Sequence, residues 1–285
     1  MVQILRGDAV ADALCRSVAD EISAMLANGG IAPGLAVILV GEDPPSEIYV
    51  ARKMLRARQV GIRSFEHRLP GDTAEADLLA LIGSLNADPA VHGILIQLPL
   101  PPQIDAKRVL DAIDPAKDVD GFHPVNVGRL SIGGEGLTPC TPLGCMLLLE
   151  QVITEFRGLK AVVIGKSNIV GKPVALLLLE RECTVTVTHI YTQNLPGIVR
   201  GADIVVVATG SPRLVRGDWV KPGAVVIDVG ITRVIGSDGK ARLVGDAAAD
   251  EMEHAAVVTP VPNGVGPMTI ACLMSNTVKA ARPPR

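Results

Sequence analysis

The stretch Lys160-Ala-Val-Val-Ile-Gly165-Lys-Ser-Asn-Ile-Val170-Gly-Lys-Pro-Val-Ala175-Leu-Leu-Leu-Leu179 decides the fold of this chain. Its β-branched run, Val162 to Ile164, stops at Gly165; a short polar turn follows, and an apolar helix begins near Gly171. Pro173 suits the first turn of that helix, where a missing N–H breaks no hydrogen bond. A strand that passes through a glycine turn into a helix N-terminus aims free backbone N–H groups at an anion. This is the geometry of a dinucleotide pyrophosphate site, and Gly165-x-Ser167-x-x-Val170-Gly171 is a variant of its usual glycine fingerprint. Taken alone, the pattern fits a plain strand–helix connection equally well.

Working outward, further strands are predicted near Ala161, Thr184, Ile204 and Ala224, each trailed by a turn or helix signal. Such a series reads as a Rossmann-type βαβ domain, placed at 141–268. Upstream, a helix over 8–27 closes at Asn28-Gly29-Gly30, and Gly34 to Val40 is a continuous apolar run suited to a strand buried on both faces. Ser46 is placed to cap a helix running to about Val60. Strands over 62–69 and 93–98 and helices over 74–86 and 106–113 complete an alternating pattern. The fold class is therefore α/β with two domains: an N-terminal parallel-sheet substrate domain over 1–140 and the Rossmann-type domain. Thr141 and Pro142 are expected to start the next helix. A Pro/Gly-rich loop is expected over 257–269, and a C-terminal helix over 269–285 that packs back on the first domain.

Composition excludes several alternatives. The 285 residues are 48% hydrophobic and 20% charged, which describes a folded chain. A net charge of −3 and an aromatic content of 2% offer neither a basic field nor stacking platforms for nucleic acid. No apolar run approaches the roughly 18 residues of a membrane span, and residues 1–15 lack a signal-peptide profile. The five cysteines are scattered without a Cys-x-x-Cys, so neither zinc nor a disulfide framework is expected and a reducing cytoplasm is.

Gln97 sits at a predicted strand end, where its side chain is open between donating to a ligand and pairing with backbone. Tyr49 and Lys53, four apart on one helix, project from the same face, and Arg56 adds a second cation to it. Spacing alone leaves this face open between a reactive lysine and a solvated cationic surface. Asp118 and Asp120 flank a turn at Gly121, where Asx hydrogen bonds compete with a ligand contact as their purpose. His123 and His189 lack partners at metal spacing and read as structural.

Seven segments in order add to this: Pro45-Ser-x-x-Tyr49-Val-x-x-Lys53, Gln97-Leu98-Pro99-Leu-Pro101, Lys117-Asp-Val-Asp120-Gly-Phe-His-Pro124, Asn126-Val-Gly-Arg-Leu130, Gly165-x-Ser-x-x-Val-Gly-x-Pro173, Asp228-Val-Gly-Ile231 and Pro260-Val-Pro262-x-Gly264-Val-Gly266-Pro267-Met-Thr269. With them the chain resembles, over nearly its whole length, the bifunctional methylenetetrahydrofolate dehydrogenase/methenyltetrahydrofolate cyclohydrolase family. The resemblance implies oxidation of methylenetetrahydrofolate with a nicotinamide cofactor, then hydrolysis of the methenyl product in one cleft between two domains. It makes Lys53, Tyr49 and Gln97 catalytic. Tyr49, Leu98, Pro99, Asp120, Pro262, Gly264, Gly266 and Pro267 become substrate contacts. Gly165, Lys166, Ser167, Val170, Gly171, Ile190 and Ile231 become cofactor contacts, with no metal. It also implies a homodimer with folate as the small-molecule partner. NADP is expected over NAD, because no acid follows the second Rossmann strand (Thr188-His-Ile190-Tyr-Thr192) and Lys166 supplies a cation.

The chain departs from the family pattern at four positions. Leu55 replaces a second basic residue, for which Arg56 is the available substitute. Pro45 stands where Ala is common. Asn263 replaces a glycine but tolerates left-handed backbone. Ile190 stands where the family has a polar residue near the cofactor's 2′-phosphate, which leaves a modest NADP preference. The alternatives are a dehydrogenase without cyclohydrolase activity and a nicotinamide- or folate-binding protein without catalysis.

Overall fold

A computed structural model describes residues 2–236 and 239–282. The chain opens with β1 (Gln3–Ile4) and α1 (Gly7–Ala27). Then follow β2 (Gly34–Val40), α2 (Pro44–Val60), β3 (Arg63–Leu69), α3 (Glu75–Ala87), β4 (Gly93–Ile96), α4 (Ala106–Asp111) and α5 (Pro124–Ser131). After α6 (Cys140–Leu149) come β5 (Lys160–Ile164), α7 (Gly171–Glu180), β6 (Thr184–Thr188), α8 (Leu195–Val199), β7 (Ile204–Val207) and β8 (Val225–Asp228). The hairpin strands β9 (Thr232–Ile235) and β10 (Ala241–Val244), then β11 (Val257–Val258) and α9 (Val265–Ala281), complete the order.

The chain divides into two compact units. One comprises Asp12–Cys140 with Ile270–Arg285; the other comprises Thr141–Thr269 with Met1–Ala11. The first eleven residues, expected in the N-terminal domain, group with the second unit because β1 pairs in parallel with β11.

In the first unit β3, β2 and β4 form a parallel sheet in that order, so the connection reverses direction at β2. Every residue of β2 is buried, which is why its sequence is continuously apolar rather than alternating. Ala36, Ile38, Val40, Ile94 and Ile96 pack against Leu78, Ile82 and Val109 of the covering helices. The main sheet of the second unit has six strands, all parallel, in the order β1-β11-β8-β7-β5-β6. The order reverses at β5, so the crevice beyond the carboxyl ends of β5 and β7 is the place where this topology binds ligands. The β9–β10 hairpin is antiparallel and was not anticipated.

Helix starts differ from expectation in three places. The cap of α2 is Asp43, whose Oδ2 accepts from the Ser46 N–H at 3.0 Å and the Ser46 hydroxyl at 2.6 Å. Pro44 and Pro45 fill the first turn, where no N–H is needed, so the helix begins before Ser46. Helix α6 begins at Cys140, leaving Thr141 inside it, where its hydroxyl meets that of Thr269 at 2.9 Å. Helix α9 begins at Val265, so Gly266 and Pro267 belong to its first turn and not to a loop. Loss of a side-chain cap costs about 1 kcal/mol. Asp43→Ala should therefore lower the thermal unfolding midpoint of the purified protein, and an unchanged midpoint would contradict Asp43 as the cap.

Candidate active site

Helix α2 leaves the loop at the carboxyl end of β2 and carries Tyr49 one turn before Lys53. Lys53 is only 8% exposed, and its Nζ donates to Gln97 Oε1 at 3.1 Å. Gln97 follows β4, where its backbone N–H donates to the Ile38 carbonyl at 2.9 Å. Its Nε2 donates to the Leu98 carbonyl at 2.8 Å, and that bond fixes the oxygen end of the amide towards the lysine. Half-buried Leu98 and exposed Pro99 continue the strand end, joined by a cis peptide bond. The resemblance put Lys53 and Gln97 in one site, and this hydrogen bond joins them across 44 positions.

The run 114–124, which shows little regular pattern in sequence, lies along β4. The Ile94 N–H donates to the Lys117 carbonyl at 2.7 Å, and Ile94 bridges Asp118 in parallel. Buried Asp118 then accepts from the N–H groups of Phe122 (3.2 Å) and His123 (2.8 Å) and from Asn126 Nδ2 (2.9 Å). The Asx reading therefore belongs to Asp118. Asp120 is half-buried, and among the described residues no hydrogen bond engages its carboxylate. Burial pushes its pKa up to about 6, against the pull of the Lys53 ammonium and with the Asp118 carboxylate adding to the rise. One aspartate is built into the backbone; the other's carboxylate takes no part in it.

One neighbour behaves differently from expectation. Arg56 is no spare cation for Lys53, since its guanidinium pairs with Asp12 of α1 at 3.0 Å. Leu55, at the position of the family's second basic residue, is 58% exposed. His123 caps α5, its Nδ1 accepting from the Val125 N–H at 3.1 Å, as its structural assignment required.

In the second unit Gly165 takes φ +114°, and a β-carbon there would fall on the Ala208 carbonyl. Likewise, a β-carbon on Gly171 would fall on the Gly165 carbonyl, so the turn closes only on these two glycines. Ser167 replaces a fingerprint glycine without cost because its Oγ accepts from the N–H groups of Val170 (3.2 Å) and Gly171 (3.3 Å). Lys166 and Ser167 are exposed at this turn, Ile190 is 90% exposed beyond β6, and Ile231 is exposed beyond β8. No carboxylate occupies 188–192, so nothing there repels a ribose phosphate. Exposed Pro262 and buried Gly264 flank Asn263, whose φ of +73° is the left-handed conformation expected of it.

Sequence reasoning missed a buried carboxylate pair behind this edge. Asp246 Oδ2 accepts from the N–H groups of Thr209 (2.7 Å) and Gly210 (2.8 Å), holding the turn after β7. Asp228 accepts from the N–H groups of Gly230, Asp246 and Ala247 at 2.8–3.0 Å. Burial pushes the Asp228 pKa up to about 6 against these hydrogen bonds, with Asp246 adding to the rise. The sequence motif around Asp228 marked the position without revealing that its work is to hold backbone.

A dinucleotide-type turn in one unit and a buried lysine beside a glutamine and a raised-pKa aspartate in the other define a nucleotide-dependent two-domain α/β enzyme. Comparison makes this specific. Residues 5–120 match the family described as "Tetrahydrofolate dehydrogenase/cyclohydrolase, catalytic domain", and residues 139–284 match its NAD(P)-binding domain. The chain is 74% identical over 283 residues to "Bifunctional protein FolD 1" of Rhizorhabdus wittichii, covering 99% of this chain and 96% of that protein. Its structure is similar to that of the bifunctional FolD of Campylobacter jejuni (TM-score 0.94, 46% identity, 99% of each chain). It is similar also to the Trypanosoma brucei enzyme complexed with NADP cofactor and inhibitor (TM-score 0.93, 41% identity, 98% of this chain and 97% of that one). The chain belongs to the tetrahydrofolate dehydrogenase/cyclohydrolase family.

Asp120 makes a prediction about stability. A carboxyl whose folded pKa is about 6 against an ordinary 3.8 leaves the unfolded chain deprotonated first, so stability falls as pH rises from about 4 to about 6. Asp120→Asn escapes that loss. Discounted for partial exposure, the variant should be more stable than the parent by about 1–2 kcal/mol near pH 8. The gap should close near pH 4, and thermal unfolding midpoints across this range measure it. A variant less stable than the parent near pH 8 would contradict the raised pKa.

Proposed function

We propose that this protein oxidises 5,10-methylenetetrahydrofolate to the methenyl form with NADP+ and hydrolyses that product to 10-formyltetrahydrofolate. The observation that carries the proposal is the lysine held to Gln97 in a buried position beside the Asp120 carboxylate. Asp120 suits the adjacent donors of a pterin's amino-pyrimidine ring, a bidentate charge-assisted pair. Tyr49, one turn from Lys53, supplies an aromatic face for the flat folate rings. Leu98 and Pro99 at the strand end, and Pro262, Gly264, Gly266 and Pro267 of the second unit, are assigned to substrate contact on the family resemblance.

Gly165, Lys166, Ser167, Val170 and Gly171 would hold the dinucleotide phosphates, with Lys166 for the 2′-phosphate and Ile190 and Ile231 alongside. When bound there, the dinucleotide would supply the hydride acceptor. Oxidation of the methylene carbon releases no proton to the protein, so this step asks the chain only for proximity and orientation. Hydrolysis differs. Water adds to the methenyl carbon and must lose a proton as the new C–O bond forms; the carbon's bond to one ring nitrogen then breaks, the hydroxyl proton passing to that nitrogen, to leave the formyl group. Lys53 is the base positioned for that proton, and Gln97 aims it. A homodimer, on the resemblance, and the reducing cytoplasm that the scattered cysteines fit complete the proposal. Among the described residues no helix is long and apolar enough to cross a membrane.

The test is a progress curve. With methylenetetrahydrofolate and NADP+, methenyl absorbance should rise and then decay faster than the spontaneous reaction. Decay at the spontaneous rate alone would leave a dehydrogenase without cyclohydrolase activity; no rise would leave a binding protein. Run with both cofactors, the same assay should give a lower KM for NADP+ than for NAD+, by a modest factor because Ile190 offers no donor. A lower KM for NAD+ would contradict the assignment of Lys166.

A further inference from the structure

Asn276 lies on α9, far in sequence from Val119 and Asp120, and is only 3% exposed. Its Nδ2 donates to the Val119 carbonyl at 2.9 Å and to the Thr138 carbonyl at 2.8 Å, which uses both amide hydrogens. The Cys140 thiol also donates to the Val119 carbonyl, at 3.2 Å, and lies 3.6 Å from the same Nδ2. Val119 immediately precedes Asp120. On the other side Gly121 takes φ +74°, and a β-carbon there would stand 2.6 Å from Pro139 N and 2.7 Å from the Thr138 carbonyl carbon. Both backbone neighbours of Asp120 are thereby held against the 137–139 segment, one by close contact and the other through Asn276. The carboxylate between them has no hydrogen bond of its own among the described residues, so its position is inherited from these neighbours.

We propose that Asn276 is a positioning residue for substrate. By tying Val119 to Thr138 it sets the Asp120 carboxylate where the paired donors of the folate ring meet it. The inference rests on reading Asp120 as the pterin anchor. A bidentate pair tolerates only a few tenths of an ångström of drift before one of its two bonds is lost. Asparagine suits the task because its amide presents two donors from one planar atom, whereas a hydroxyl presents one.

The experiment measures KM and kcat for folate and for NADP+ in Asn276→Ala, Asp120→Asn and the double variant, using the full-length protein. Asn276→Ala should raise the folate KM roughly tenfold in both reactions, with kcat and the NADP+ KM within about twofold of the parent. Asn276→Ser, which keeps one donor, should fall between, and it carries the test if the alanine variant does not fold. Because both residues act on one contact, the double variant should have a folate KM within about twofold of Asp120→Asn alone. Multiplying effects, or a lower unfolding midpoint with an unchanged folate KM, would overturn the inference and leave Asn276 as a packing contact. An unchanged folate KM in Asp120→Asn would instead remove the anchor itself, and the role of Asn276 with it.

Discussion

An amine taken out of water needs an acceptor, and at Lys53 that acceptor is a neutral amide oxygen 3.1 Å away. The choice of amide has consequences. A carboxylate in that place would tie the side chain to its charged form. The Gln97 oxygen accepts one N–H from either protonation state and leaves the remaining valence of the nitrogen for chemistry. The bond also sets a distance between α2 and the end of β4, the two elements that reach the switch point of the first sheet. Tyr49 and the Lys117–Asp120 run are placed relative to that bond, because one rides on α2 and the other is laid along β4.

The two aspartates of that run divide a cost between them. Asp118 is buried and its charge is met by two backbone N–H groups and an asparagine. Asp120 is half-buried with no hydrogen bond to its carboxylate among the described residues, and desolvation pushes its pKa up to about 6. Unsatisfied charge at a ligand site is stability exchanged for binding, since the same desolvation strengthens a pair formed with an incoming donor. In the second unit Asp228 and Asp246 are spent instead on holding backbone, so buried carboxylates set the sheet edge beside the exposed turn proposed for the cofactor.

Elements whose pattern comes from a single physical cause were legible in the sequence. Burial on both faces marked β2, and the glycine turn marked the step from β5 to α7, where two β-carbons are sterically excluded. Features set by tertiary contact were not. The start of α2 was misplaced because Asp43 and Ser46 are both good caps, and only the backbone shows which one accepts. The irregular 114–124 run gains its order from β4, and Arg56 loses its freedom to Asp12 on a different helix. Within the candidate site, Lys53 and Gln97 stood in quoted motifs and meet as expected. Asn276 and Asp246 carried no local signal, because a buried amide or carboxylate that holds distant carbonyls or N–H groups looks in sequence like any other polar residue.

The central claim is that one lysine serves the hydrolysis while hydride transfer needs only geometry. Lys53→Met tests it most directly, since Met keeps the apolar stem beside Tyr49 and removes the amine. The variant should be supplied separately with methenyl- and methylenetetrahydrofolate and both rates measured on one preparation. The account predicts a fall of about 10²–10⁴ in hydrolysis, with the dehydrogenase rate retained within about tenfold. Equal loss of both rates would reduce Lys53 to a substrate-orienting group, and hydrolysis retained near the parent rate, after subtracting the spontaneous reaction, would contradict a base role for it.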